Sequence, residues 1–101
     1  MSDAAITLAG ESELRLSGII DYQTGPRLRK EGQALIKKAL AKALVVDCSA
    51  VTKSSSVGLS LLLCYMRDAQ ALNKPLSITG LPEDMREIAH VSGLTELLAH
   101  H

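Results

Sequence analysis

An apolar run, residues 43–47, passes through a six-residue polar stretch and opens straight into an apolar helix, and this succession constrains the chain more than any other feature. A short apolar run closed by Asp47 reads as a central parallel strand, since such strands are buried on both faces. Ser54, Ser55 and Ser56 stand at the mouth of the helix, where four backbone N–H groups lack intrahelical partners. Hydroxyls are favoured there as caps, and a phosphate would be favoured by the helix dipole.

The helix expected from Val57 to about Leu72 is apolar on more than one side. At about 100° per residue, Leu59, Leu62, Leu63, Met66 and Ala69 form a stripe that suffices to dock it on a sheet. Val57, Leu61, Cys64 and Tyr65 lie on the opposite side, joined by Leu72. A helix apolar all round is normally buried all round, and a small domain has no second layer to cover it. Burying a Leu or Val is worth about 1.5–3 kcal/mol, so an uncovered face here predicts a partner-binding patch. The alternative is that the terminal helices fold over it.

Around this unit the expected strands are residues 4–8, 13–17 and 76–79. Leu14 and Leu16 alternate with Glu13, Arg15 and Ser17, the period of a half-buried strand. Thr24-Gly25-Pro26 opens a first helix, with Thr24 as its cap. Leu28, Leu35, Ile36, Ala39 and Leu40 form its apolar face through about Ala41, and Gly32 implies close packing. Asn73-Lys74-Pro75 breaks the serine-capped helix. Pro82, Glu83 and Asp84 start a third helix, with Met85, Ile88 and Ala89 inward and Gly93 at its end. A last short helix is expected over 94–98. The order is ββαβαβαα: an α/β mixed sheet with helices packed against it, one domain over residues 1–101.

The chain has no Phe or Trp, so the core must be aliphatic. A formal charge of zero argues against nucleic-acid binding. Arg27, Arg29, Lys30, Lys37, Lys38 and Lys42 crowd one segment, read as a solvated helix face, with contact to an acidic surface or lipid headgroups second. No apolar run approaches the roughly 18 residues of a membrane span, so direct insertion is not expected. Residues 1–10 lack a basic leader. Cys48 and Cys64 fit neither a CxxC motif nor a zinc site, as for free thiols in a reducing cytoplasm.

No enzyme motif is visible: there is no glycine-rich phosphate loop, HExxH or GxSxG. Asp47 has no second carboxylate or oriented histidine beside it in the sequence, and His90 reads as a helix-surface or boundary residue. No catalytic residue, metal or cofactor is expected.

Three segments, Ser17-Gly18-Ile19-Ile20-Asp21 with Thr24 and Leu28, Asp47-Cys48-Ser49-Ala50-Val51, and Ser55-Ser56-Val57-Gly58-Leu59, together resemble the STAS domains. These are named for sulphate transporters and anti-sigma-factor antagonists, and their fold is SpoIIAA-like. The resemblance implies that Ser56 matches the hydroxyl phosphorylated by partner kinases in the antagonist branch. The aspartate usual before that hydroxyl is Ser55 here, and a bulkier Val57 follows it. Residues 58–63 through Arg67 and Ala69, with Gly80-Leu81-Pro82 and residues 88–94, look like the branch of small cytoplasmic STAS subunits of the bacterial Mla phospholipid-transport ABC system.

That branch implies a non-enzymatic accessory subunit that binds the system's ATPase, with its permease in the complex, at the cytoplasmic face of the inner membrane. Such systems maintain outer-membrane lipid asymmetry. The alternative partner is a switch kinase of the anti-sigma type, with Ser56 as the phosphorylation site. The expected contact surface is a loop of Thr52, Lys53, Ser54, Ser55 and Ser56 with the helix face of Val57, Leu61, Cys64 and Tyr65.

Overall fold

In the computed structural model, which describes residues 4–91 and 93, the chain runs β1 (Ala5–Leu8), β2 (Glu13–Ile20), α1 (Gly25–Lys38), β3 (Leu44–Ser54), α2 (Ser56–Ala71), β4 (Leu76–Thr79) and α3 (Glu83–Val91). The last helix expected over 94–98 lies outside the described residues. The strands form one sheet in the order β1-β2-β3-β4. β1 pairs antiparallel with β2, while β2–β3 and β3–β4 are parallel. The mixed sheet follows from the connections: a tight turn permits only an antiparallel pair, and each helical crossover returns a parallel strand.

β3 is the central strand, but it is far longer than the apolar run that announces it. Thr52, Lys53 and Ser54 are its end, not a loop, with Ile19 opposite Lys53 and Ile20 opposite Ser54. Two register shifts against β2 each insert one extra residue into β3. The inward position therefore moves from Leu44, Val46 and Cys48 to Val51, and then to the half-buried Ser54. A bulge flips the parity of everything after it, so the polar residues face the open side of the sheet although the strand continues. Asp47 supports the first bulge: its carboxylate accepts a 2.9 Å hydrogen bond from the N–H of Ser49, which has no partner residue on β2.

The buried side chains of the sheet, among them Leu14, Leu16, Ile20, Val46 and Ile78, share one face, and the helices cover it. α2 lies between α1 and α3 in the same layer, which answers why it is apolar all round. Leu59, Leu62 and Ala69 are buried, as expected for the sheet-facing stripe, while Leu63 and Met66 are only half-buried. Leu61 (3% exposed) and Tyr65 (0%) are buried as well. They were expected on an open face; α1 packs over Tyr65, and no second layer is needed.

Two details of α1 also depart from expectation. Thr24 makes no side-chain cap. Asp21 holds the turn just before the helix, its Oδ1 accepting from the N–H groups of Gln23 (2.9 Å) and Thr24 (3.0 Å), while the Thr24 hydroxyl donates to the Ile19 carbonyl. The helix stops at Lys38, so Leu40 falls beyond it and is 96% exposed instead of joining the apolar face. Lys74 Nζ caps the end of α1 by donating to the carbonyls of Ile36 and Ala39. On α3, Met85 and Ala89 are buried, Ile88 is half-buried and Gly93 follows with a positive φ, all as expected.

Candidate partner-binding site

Because β2 and β3 are parallel, the helices that follow them start at the same end of the molecule and run side by side in the same direction. Gly25 lies against Val57 at the start of both helices and Gly32 against Tyr65 two turns on, while the Arg29 side chain reaches across to Asp68. The start of α2 is held by its serines. Ser55 is the N-cap, its Oγ accepting from the Val57 N–H at 3.2 Å, while its own N–H donates to the Ile20 carbonyl at 3.1 Å. The Ser54 hydroxyl donates to the Ser55 carbonyl at 2.8 Å. Gly58 lets this turn sit against α3, since a Cβ there would overlap Ser54 Oγ and lie 2.9 Å from Met85 Cε. Ser56 differs from both neighbours: it is the first residue of α2, exposed, and its hydroxyl has no hydrogen-bond partner among the described residues.

Beside this turn, α1 and α2 border a shallow, open groove of about 360 Å³. Tyr22, Pro26, Val57 and Cys64 line it, Leu61 closes its floor and Arg29 stands at its side. Tyr22 is 77% exposed, the largest side chain at the groove. Arg29 grips Asp68 through two hydrogen bonds, one of them 3.2 Å long, and is thereby fixed across the helix pair.

Of the residues expected to meet a partner, Thr52, Lys53, Ser55 and Ser56 are exposed, and Ser54, Val57 and Cys64 are half-buried. Leu61 and Tyr65 are withdrawn into the core. Tyr22, Pro26, Arg29 and Ser60, none of them expected from the sequence, line the groove at the surface in their place. Tyr22 carried a signal: one of only two aromatic side chains, it sits next to a helix start where no strand or helix period buries it.

The hydrogen bonds to Asp68 raise Arg29 above its ordinary value, so it stays charged beside the groove. The Ser49 N–H, assisted by Arg15, holds the Asp47 carboxyl below its ordinary range. Burial pushes the Cys48 thiol up to about 12, so it is a neutral core side chain. His90 is exposed on α3. Among the described residues, no three His, Cys, Asp or Glu side chains gather as a metal site, and no helix is long and apolar enough to cross a membrane.

The family described as "Mlab, STAS domain" matches residues 5–99. The chain belongs to that family. Among solved structures, a chain of the Acinetobacter MlaFEDB complex in its ATP-bound Vtrans2 conformation is 28% identical with a TM-score of 0.80, covering 93% of this chain and 96% of that one. An anti-sigma factor antagonist from Mycobacterium paratuberculosis is 24% identical, TM-score 0.76, covering 97% and 83%. The anti-sigma factor antagonist SpoIIAA in its unphosphorylated form is 17% identical, TM-score 0.73, covering 95% and 85%. The two antagonists share the fold of this MlaB-like STAS domain, a mixed four-stranded sheet with its helices on one side. Its long β3, bulged twice before the serine-capped turn, delivers Ser56 to the surface.

Proposed function

We propose that this STAS domain is the accessory subunit of an Mla-type phospholipid-transport ABC complex, binding the complex's ATPase subunit at the end where α1 and α2 begin. The observation that carries this reading is the likeness to a chain of the MlaFEDB complex, at 28% identity over nearly the whole of both chains. The surface fits a binding role. It offers an apolar groove for burial and, at its edge, the exposed hydroxyl of Ser56 to fix register by hydrogen bonding. A subunit that binds only the folded ATPase, or only its productive dimer, shifts the population toward that state. Bound in this way, the chain is peripheral to the membrane, on the side where the ATPase lies.

The contact residues in this reading are Thr52, Lys53, Ser54, Ser55, Ser56, Val57 and Cys64, with Tyr22 and Pro26 in place of Leu61 and Tyr65. Affinity capture of the full-length chain from its native host tests it. Recovery of an ABC ATPase with its permease is the expected result; their absence from a capture that retains other partners contradicts it.

A second reading, as an anti-sigma-factor antagonist controlled by phosphorylation, is favoured by one observation, the exposed Ser56 hydroxyl at a helix N-terminus, unpartnered among the described residues. Incubation with ATP and a switch kinase, followed by intact mass, separates the two. One added phosphate that disappears in Ser56→Ala supports the second reading, and no added phosphate removes it.

A further inference from the structure

The groove between α1 and α2 says what kind of surface would fill it. Its lining is almost wholly carbon, and it lies shallow and open between two helices that run in parallel. On either side, the helical period sets a stripe that faces outward: Pro26, Lys30, Gln33 and Lys37 on α1, and Val57, Ser60, Cys64 and Arg67 on α2. The charges on these stripes have one sign. Among the described residues, Lys30, Lys37 and Arg67 make no ion pair, and the neighbouring carboxylate, Asp68, is already taken by Arg29. The apolar lining runs along the first turns of both helices as far as the Arg29–Asp68 pair, and Lys30 and Arg67 stand next to its last residues, one on each helix.

We propose that this groove receives an amphipathic helix of the partner, its apolar ridge seated between α1 and α2 and its flanking carboxylates facing Lys30 and Arg67. The proposal rests on the ATPase-binding reading for the partner's identity and adds the chemistry of the contacting segment. Helix-in-groove recognition takes its affinity from apolar anchors spaced by helical turns. Complementary charge on the banks fixes register and speeds encounter. A second copy of this chain is a poor occupant, because a two-fold contact sets the same patch against itself and brings like charges together. A flat anionic bilayer would meet the cations through its headgroups and leave the carbon lining without an apolar partner.

The test uses the full-length chain, Tyr22→Ala and the double variant Lys30→Glu/Arg67→Glu, all at exposed positions, with thermal melts as the control for folding. Calorimetric titration with the purified ATPase is expected to show Tyr22→Ala weaker by about tenfold or more at any salt, as for loss of an aromatic anchor. The charge variant is expected to be weaker at low salt, with the difference shrinking near about 1 M salt, where the Debye length is about 3 Å. Wild-type affinity for both variants at every salt overturns the proposal.

A second arm does not need the ATPase. Two synthetic amphipathic helices with the same leucine ridge, one flanked by Glu and one by Lys, are added to labelled protein and followed by amide chemical shifts. The Glu peptide should move Val57, Ser60 and Cys64, and the Lys peptide should not. Equal effects, no effect, or shifts confined to other elements overturn the groove proposal. An ATPase that ignores the wild type while the Glu peptide binds refutes the partner's identity and leaves the groove chemistry standing. Self-association abolished by Tyr22→Ala would make a second copy the occupant and overturn it.

Discussion

The Tyr65 hydroxyl donates a 2.6 Å hydrogen bond to the carbonyl of Leu28, and the ring beneath it fills the space left by Gly32. Tyr65 is fully buried, so this contact locks α1 to α2 and sets the spacing of the groove between them. Removing the hydroxyl in Tyr65→Phe should cost about 1 kcal/mol, the ordinary net value of such a bond. Gly32→Ala separates two effects of opposite sign. Helix propensity alone would favour Ala by about 1 kcal/mol. A Cβ at this position overlaps the Tyr65 ring, however, and overpacking costs about 1–3 kcal/mol. Denaturant melts should show Gly32→Ala destabilised; a stabilised variant would mean that the helices are free to spread.

Leu61→Glu should unfold the domain as severely as Leu62→Glu. The two leucines are 3% and 0% exposed, and a buried carboxylate without a partner is destabilising by several kcal/mol. Parallel melts of the two variants check this. A Leu61→Glu domain that stays folded would place Leu61 on the open face that the sequence pattern had implied.

That pattern shows what a sequence of this kind discloses and where it stops. The strand at Leu44–Asp47, the helix after Ser55, the inward face of α3 and the close packing at Gly32 all follow from local composition and period. Three things did not. The bulges in β3 hide a strand inside a polar run, because each breaks the alternation by which strands are read. The covering of Leu61 and Tyr65 depends on a helix more than 25 residues earlier in the chain, a contact no local period encodes. Tyr22 lines the groove only because the parallel crossovers bring the starts of α1 and α2 together.

Adjacent serines should behave differently. Ser55 caps α2, so Ser55→Ala should lower stability by about 0.5–2 kcal/mol. Ser56 makes no hydrogen bond through its hydroxyl among the described residues, so Ser56→Ala should leave the melting temperature unchanged. Thermal melts of both variants decide it, and an equal loss in the two would show that the cap is shared.

Alkaline pH should destabilise the domain through groups that the core holds neutral. Burial raises Cys48 to about 12 and raises Tyr65 as well. For such groups the stability is fully present below the unfolded value and declines as pH rises toward the folded one, here between about 9 and 12. Cys48→Val should flatten part of that decline in pH-dependent melts. The same burial predicts that a thiol reagent modifies half-buried Cys64 in the native protein and reaches Cys48 only on unfolding.

Binding to the ATPase through the Ser56 end of the domain is tested most directly by one titration: the purified ATPase with the full-length chain, wild type against Ser56→Asp. The wild type should bind saturably. Ser56→Asp, whose charge suits a free helix terminus but not a desolvated interface, should bind about tenfold or more weakly while melting like the wild type. An ATPase that does not bind the wild type, or that binds Ser56→Asp equally well, contradicts it.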